Sequence, residues 1–122
     1  VIQYAVDILA VKHIIVTGHH GCGGIIAALG PRAPEPLETW LTPIRAVRDR
    51  HADELAGLDP AERPDRLCEL NVAAQVRSVA DTPTVRGAWA AGKPLAIHGW
   101  FYDLKDGLLH DLDVTLEGPE AK

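Results

Sequence analysis

The sequence predicts an α/β fold with a mostly parallel central sheet, flanking helices and one antiparallel hairpin strand near the C-terminus. Residues 12–18 contain an apolar run without alternation, which is typical of a short parallel strand buried on both faces. A glycine-rich turn and a helical pattern follow, in the strand–turn–helix order of α/β proteins. Residues 108–116 alternate after Asp106-Gly107, which predicts an antiparallel strand behind a hairpin turn.

The other elements follow from the spacing of apolar residues and from the positions of proline and glycine. Apolar residues at helical spacing predict helices over residues 1–11, 25–29, 37–58, 65–79 and 84–91. Three prolines within residues 30–36 separate the second helix from the third. The second strand is predicted over residues 94–102, and a frayed tail is predicted over the polar residues 117–122. The mixed charges of residues 45–65 are interpreted as a solvated helix face without function.

Composition indicates a single globular domain and argues against several classes of partner. The 122 residues are 47% hydrophobic and 24% charged, as in ordinary globular domains. There are 12 basic and 17 acidic residues, a formal net charge of −5, and no stretch gathers lysine and arginine as nucleic acids or anionic membranes would require. No apolar run reaches the length of a membrane span. The 2 cysteines are too few for a disulfide framework, so a reducing, cytoplasmic location is expected.

The start of the sequence suggests that the chain is part of a longer polypeptide. The chain contains no methionine, and Val1 opens in the middle of an apolar helical pattern without an N-cap residue. We therefore expect further sequence upstream of residue 1.

The turn after the first predicted strand carries a candidate metal site. His19 and Cys22 form an H-x-x-C pair at the C-terminal end of that strand, where α/β sheets place their ligand sites. Imidazole nitrogen and thiolate sulfur both suit zinc, and a tight turn lets the two side chains face one ion. The pair alone is a weak signal, but Gly21, Gly23 and Gly24 strengthen it because they let the backbone pass close to a bound ion or anion.

Several separated motifs occur in order along almost the whole chain. They are QYAV at residues 3–6, GHHGCGG at 18–24, LCELNV at 67–72, HGWFY at 98–102 and DGL at 106–108. From residue 1 to about residue 115 the sequence resembles the β-class carbonic anhydrases, especially the bacterial branch. The resemblance implies the fold of that family and a homodimer or homotetramer, with pockets at the subunit interfaces.

The resemblance also implies a zinc enzyme that interconverts carbon dioxide and bicarbonate. In that family the metal is held by the His and Cys of this turn, here His19 and Cys22, and by a further Cys from an upstream Cys-x-Asp-x-Arg segment. Zinc lowers the pKa of bound water from 15.7 toward about 7, so zinc-bound hydroxide can attack carbon dioxide at neutral pH. The Gly23 N–H is then expected to hold bicarbonate oxygens, Tyr4 to line the pocket of the neighbouring subunit, and Tyr102 to help form a non-catalytic bicarbonate site.

The sequence departs from the family pattern at its beginning, where the Cys-x-Asp-x-Arg segment is absent. Residues 1–122 are therefore expected to be the C-terminal part of a single β-carbonic anhydrase-like domain, with an open sheet edge beside the strand that ends at Gly18. Alone, they are not expected to form a stable catalytic unit. The alternative to the enzyme is a catalytically incomplete oligomerisation or bicarbonate-sensing module of the same family. A nucleotide-binding turn ranks last, because G-x-x-G-x-G-G matches neither the dinucleotide fingerprint nor a P-loop.

Structural roles are expected for the other chemically distinctive side chains. His20, where the family often has Tyr, Ser or Thr, is interpreted as a solvent-facing loop residue in preference to a proton shuttle. Cys68 is expected to be a buried structural thiol, and His98 a satisfied core or interface residue. We expect surface positions for His13, His51 and His110 and packing positions for Trp40 and Trp89.

Overall fold

The computed structural model describes residues 1–119 and places helices between the first and second strands. A π-helix, Tyr4–Ile8, is followed by β1 (His13–His19) and α1 (Gly23–Leu29). The middle of the chain forms α2 (Leu37–Arg50), α3 (Ala52–Ala56), α4 (Arg63–Ala80) and α5 (Pro83–Ala90). The last elements are β2 (Ala96–Asp103) and β3 (Leu108–Asp111). The expected frayed tail falls partly on residues 120–122, which lie outside the described residues.

The sheet has the strand order β1-β2-β3 and confirms the predicted α/β architecture. β1 runs parallel to β2, with His13 opposite Ala96 and His19 opposite Tyr102. β2 and β3 are antiparallel and are joined by the predicted turn, in which Gly107 has a φ of 70°. Because parallel strands end at the same edge of a sheet, the ends of β1 and β2 bring His19 and Tyr102 to one edge.

The third strand is shorter than predicted. β3 ends at Asp111 instead of residue 116, and an isolated bridge between Ile97 and Leu116 follows. Asp113 adopts a φ of 57°, which an extended strand does not allow. The ladder is therefore interrupted at this residue and resumes as a single bridge.

The expectation that residues 12–18 are buried on both faces is wrong. Alternate residues of β1 are exposed, and Ile15 is 47% exposed. Within residues 1–119, β1 is hydrogen-bonded to β2 on one side, and its other edge is open. Of the described helices, α4 has the most extensive contact with the sheet, and residues of α5 and of the π-helix pack beside it around Ile97. The apolar run thus belongs to a strand whose edge and second face lack cover from the described residues.

The helices predicted over residues 1–11 and 37–58 also differ from the observed ones. The first is the short π-helix, which buries Val6 and is followed by Ala10 at a φ of 53°. The second divides into α2 and α3 at His51, whose φ of −117° lies outside the helical region. The division turns α3 so that Leu55, 4% exposed, joins the core. Among residues 1–119, no helix combines the length and hydropathy that crossing a bilayer requires.

The core is built along α4. One part of this helix contributes Leu67, Cys68 and Leu70 to a cluster with α1 and α2, and another part contributes Val76 and Ala80 to a cluster with α5 and β2. Glycines let the helix lie close to the sheet, since a Cβ atom on Gly18 would lie 2.7 Å from Cγ2 of Val72. This packing sets the position of β1, and with it the position of the turn that follows β1.

Candidate metal centre

A sharp reversal of the chain brings His19 and Cys22 to the same end of the sheet. His19 is the last residue of β1, and Cys22 is the N-cap residue of α1. Gly21 lies between them with a φ of 73°, a conformation that glycine adopts without steric cost. The His19 side chain is exposed and the Cys22 side chain is half-buried. Both therefore lie at the carboxyl end of a parallel strand, as the sequence predicts.

The His19 ring is already oriented as in a metal ligand. Its Nδ1 lies 3.0 Å from the carbonyl oxygen of His20. A carbonyl oxygen can only accept, so Nδ1 carries a proton, and in the neutral ring the lone pair then lies on Nε2. Metal-binding histidines commonly donate the second ring N–H to a carbonyl or carboxylate in this way, because that bond fixes the tautomer. Together with the Cys22 thiol, this nitrogen offers the mixed N and S donors that suit zinc.

Cys68 lies behind this turn and is a structural thiol, as predicted. It is 3% exposed, and its Sγ donates to the carbonyl oxygen of His19 at 3.2 Å. Burial, followed by the nearby Cys22, raises the pKa of the Cys68 thiol to about 11. The Sγ atom is already engaged by the backbone at His19, which is the arrangement of a structural thiol. The role of Cys68 is therefore to hold the backbone at His19.

The described part of the chain supplies two metal-donor side chains at this turn, those of His19 and Cys22. Within residues 1–119, His19, Cys22 and Cys68 do not bring their ligand atoms within 4.8 Å of one another as a group of three. The group that meets this distance is Asp103, Asp106 and His110, at the β2–β3 turn. A catalytic zinc usually has three protein ligands. The residues present thus fit zinc in donor chemistry, but within residues 1–119 they supply only part of its coordination.

A cavity of about 390 Å³ lies beside the two donors and along the open edge of β1. Its wall includes both donors, the edge residues Val16, Thr17 and Gly18, the apolar side chains of Ile25, Trp40, Pro43, Ile44 and Val72, the buried Cys68, and the polar side chains of Asn71 and Gln75. Most of the lining is apolar and comes from α2, α4 and β1. The cavity therefore joins the candidate metal site to unpaired backbone groups of the sheet edge.

The other residues predicted for the site lie at different places around it. Gly23 is the first residue of α1, where the backbone N–H has no partner within the helix. Tyr102 lies opposite His19 in the parallel register, and its hydroxyl approaches Gly107 in the β2–β3 turn. Tyr4 is on the π-helix, is 60% exposed and is not among the residues that line the cavity.

The solvent-facing interpretation of His20 is wrong. Its side chain is 20% exposed, and its ring stacks on Phe101 with the centroids 4.5 Å apart. Nδ1 lies 3.6 Å from a carboxylate oxygen of Asp65, and Nε2 lies 3.6 Å from one of Glu69. The turn folds back onto the first turns of α4, which encloses the ring. The proton shuttle, the alternative not preferred from the sequence, is untested and is checked with His20→Ser at low buffer concentration.

Hydrogen bonds explain the positions of several histidines outside the metal turn. His98 is half-buried, and its two ring nitrogens lie 3.0 Å from Nδ1 of His13 and 3.1 Å from Oγ1 of Thr115. His98 is therefore a satisfied structural residue, and His13 is exposed as expected. His51 and His110 are half-buried instead of fully on the surface. His110 is partly enclosed because it pairs with Asp106 at 2.7 Å and stacks on Phe101.

Trp89 occupies a packing position as expected, whereas Trp40 and the charged residue Arg45 differ from their predicted positions. Trp89 packs as predicted and donates from Nε1 to the carbonyl oxygen of Leu95 at 2.8 Å. Trp40, expected to be a packing residue, is 62% exposed, because one side of its ring faces the cavity and Gly24 while the rest is open. The interpretation of residues 45–65 as a solvated face is wrong for Arg45, whose side chain is 12% exposed in an ion pair with Glu38. The seven-residue spacing puts Glu38 and Arg45 on one face of α2, but it does not show that this face is covered by the end of α1.

The raised pKa of Cys68 leads to a labelling prediction. At pH 8 about a thousandth of a thiol with a pKa near 11 is ionised, and burial further limits access. Iodoacetamide should therefore modify Cys22 in the metal-free folded protein and leave Cys68 unmodified, as read by peptide mass spectrometry. In urea both cysteines should react. Modification of Cys68 in the folded protein at the rate seen in urea would contradict its assignment.

The same shift gives a pH dependence of stability. The folded-state pKa of Cys68 lies above its ordinary value, so the unfolded chain loses this proton first. The stability contributed by the neutral thiol is complete below about pH 9 and is lost as the pH rises toward 11. Urea unfolding of the wild type and of Cys68→Ser at pH 8 and 10.5 should show a steeper loss for the wild type. Equal losses would contradict the assignment.

Comparison with known proteins places the chain in a family. The sequence model of the carbonic anhydrase family matches residues 1–109. A carbonic anhydrase of Emericella nidulans is 46% identical over 119 residues, which are 97% of this chain and 52% of that protein. A carbonic anhydrase of Pseudomonas aeruginosa is 34% identical over 120 residues, which are 92% of this chain and 51% of that protein.

Solved structures agree with the sequence relatives. A Coccomyxa β-carbonic anhydrase in complex with acetazolamide superposes with a TM-score of 0.90 at 40% identity, over 96% of this chain and 54% of that one. One of two tetrameric β-carbonic anhydrases from the ascomycete Sordaria macrospora gives 0.88 at 41% identity, over 94% and 59%. The chain spans about half the length of the curated relatives it matches. Fungal and bacterial proteins both occur among them, so placement in the bacterial branch stays a prediction. The matched residues and the shared fold together show that this chain belongs to the β-carbonic anhydrase family.

Proposed function

We propose that the chain forms the C-terminal part of a zinc-dependent β-carbonic anhydrase that interconverts carbon dioxide and bicarbonate. The observation that carries the proposal is the hydrogen bond from His19 Nδ1 to the His20 carbonyl oxygen, beside Cys22. It leaves an imidazole lone pair and a thiol at the end of one parallel strand. When bound, zinc supplies the Lewis acidity that makes hydroxide available from water near neutral pH.

The third ligand comes, in this proposal, from an upstream segment containing Cys-x-Asp-x-Arg. The cavity along β1 supports this, because Val16, Thr17 and Gly18 present an unpaired strand edge to it. A parallel strand added at this edge would end level with His19, so a Cys near its end would face the same ion as Cys22. Residues 1–122 would then be one part of a single domain whose first strands lie upstream.

The remaining residues take the following roles in the proposal. The Gly23 N–H, at the first position of α1, holds bicarbonate oxygens. Tyr4, which is 60% exposed, reaches the pocket of a neighbouring subunit in a dimer or tetramer. Tyr102 contributes to a second, non-catalytic bicarbonate site with residues from upstream. A cytoplasmic location agrees with the free state of both cysteines.

A second candidate function is an oligomerisation or bicarbonate-sensing module without catalysis. The observation that favours it is the donor count, because residues 1–119 bring two donors to the turn where a catalytic zinc needs three. Such a module would fold and oligomerise without zinc.

The test compares the 122-residue chain with the same chain carrying its native upstream sequence. For the longer protein we expect one zinc per subunit and rapid hydration of carbon dioxide in stopped-flow measurements. The short chain should bind zinc weakly and show no hydration above the buffer. A zinc-free, folded oligomer of the longer protein without hydration activity would establish the second function. Full activity of a monomeric short chain would refute the division of the site.

A further inference from the structure

Arg45, on α2, has a guanidinium group that is largely enclosed by backbone carbonyl oxygens. Its Nη1 donates to the carbonyl oxygens of Ala28 at 2.7 Å and Gly30 at 2.8 Å, and its Nη2 donates to that of Pro31 at 2.9 Å. These carbonyl groups belong to the end of α1 and the residues after it, where a helix leaves acceptors without internal partners. Arg48, also on α2, donates from Nη1 to the same Ala28 carbonyl oxygen at 2.8 Å. Side chains of α2 therefore complete the hydrogen bonding of the end of α1, and Arg45 makes most of these bonds.

Glu38 fixes this guanidinium group in place. It is 8% exposed, and its two carboxylate oxygens accept from Nε and Nη2 of Arg45 at 2.8 and 3.0 Å. The N–H of Ala33 donates to the same carboxylate at 2.8 Å. The Ala33 N–H and then Arg45 keep the pKa of Glu38 below its usual value, so the carboxylate is charged at neutral pH. The fork-shaped pairing is one that arginine makes and lysine cannot reproduce.

α2 also contacts the beginning of α1, at the metal turn itself. A Cβ atom on Gly24 would lie 3.1 Å from a ring carbon of Trp40. Both ends of the 7-residue helix α1 are thus in contact with α2. Cys22 is the N-cap residue of α1, whereas His19 belongs to β1, which is held by β2 and α4. α4 packs against both α1 and β1, whereas α2 packs against α1, so the support from α2 reaches the Cys22 donor and not the strand that carries His19.

We propose that Arg45 is a positioning residue for the metal centre, which sets the place of the Cys22 thiol relative to the His19 ring by fixing the end of α1. This inference rests on the proposed zinc site. A helix of this length is about 10 Å long, so a tilt of about 10° at its far end moves Cys22 by roughly 2 Å. Zinc–ligand distances tolerate deviations of only about 0.2 Å. Small changes at Arg45 are thereby magnified at Cys22.

The experiment compares Arg45→Met, Arg45→Lys and Glu38→Gln in the protein with its native upstream sequence. We expect Arg45→Met to weaken zinc binding by about 10- to 100-fold, the range seen when partners that orient metal ligands are lost. Arg45→Lys should restore part of the affinity, because an ammonium group reaches the carbonyl oxygens without the fork to Glu38. Zinc affinity is measured by chelator competition, and the thiolate-to-metal band of the cobalt-substituted protein reports the Cys22 bond.

Arg50→Met is the matched control, since Arg50 is exposed on the same helix. Its zinc affinity and cobalt spectrum should equal those of the wild type. Glu38→Gln keeps the Arg45 side chain and provides a milder variant if Arg45→Met does not fold. An unchanged zinc affinity and cobalt spectrum in Glu38→Gln and Arg45→Lys, with a lower free energy of unfolding, would show a purely structural role and overturn the inference. Absence of zinc from the wild type would instead defeat the proposed function before any variant is made.

Discussion

Replacing Cys22 by Ser in the protein with its native upstream sequence is expected to remove bound zinc and abolish hydration of carbon dioxide. A neutral hydroxyl cannot replace the charged thiolate as a zinc donor, and the His19 nitrogen is then left with one partner ligand fewer. The loss of zinc affinity should exceed about 100-fold, the upper end of what losing an outer partner costs. Zinc per subunit by atomic absorption and hydration rates by stopped flow are the measurements.

Cys68→Ser is the matched control for this substitution. Cys68 undergoes the same chemical change, but its buried thiol donates to the His19 carbonyl oxygen and is not a metal donor. The variant should retain zinc at one equivalent per subunit, with some loss of stability because a hydroxyl is buried in its place. Retention of zinc by Cys22→Ser would contradict the assignment of Cys22 as a zinc ligand. Loss of zinc from Cys68→Ser alone would mean that Cys68, and not Cys22, is the ligand.

Gly99→Ala is expected to destabilise the fold by about 1–3 kcal/mol through overpacking. A Cβ atom at Gly99 would lie 2.6 Å from Cγ2 of Val114, 3.0 Å from Cγ2 of Val76 and 3.1 Å from Cγ1 of Val72. Val76 is 1% exposed and Val72 is 3% exposed, so neither side chain can move toward solvent. The change therefore forces α4 away from β2. Urea unfolding followed by circular dichroism measures the difference.

Gly87→Ala provides the same chemical change without the collision. Gly87 lies inside α5, and a Cβ atom there meets nothing within 4 Å. Alanine has the higher helix propensity, so this variant should be more stable than the wild type by up to about 1 kcal/mol. Equal effects of the two substitutions would mean that α4 does not pack on β2 as closely as described.

The local spacing of apolar residues was sufficient to predict most of the helices and strands. The unalternating run before the glycines, the alternation after Asp106-Gly107 and the helical spacing between them identified strands and helices at nearly their observed positions. The failures lie where tertiary contacts override local preference. His51 breaks a helix so that Leu55 is buried, and Asp113 takes a positive φ that ends β3 early. Neither event has a signal in the spacing of apolar residues.

The features of the candidate site likewise separate into those that the sequence predicted and those that depend on tertiary contacts. The chain by itself determined the α/β class, the family and the H-x-x-C pair, because these depend on residues close together in sequence and on motifs read in order. Only the tertiary structure decided that His20 is enclosed by Asp65 and Glu69, that Cys68 supports the His19 backbone, and that Arg45 holds the end of α1. Those partners are separated by many residues, and they meet only after α2 and α4 have packed against α1 and the sheet.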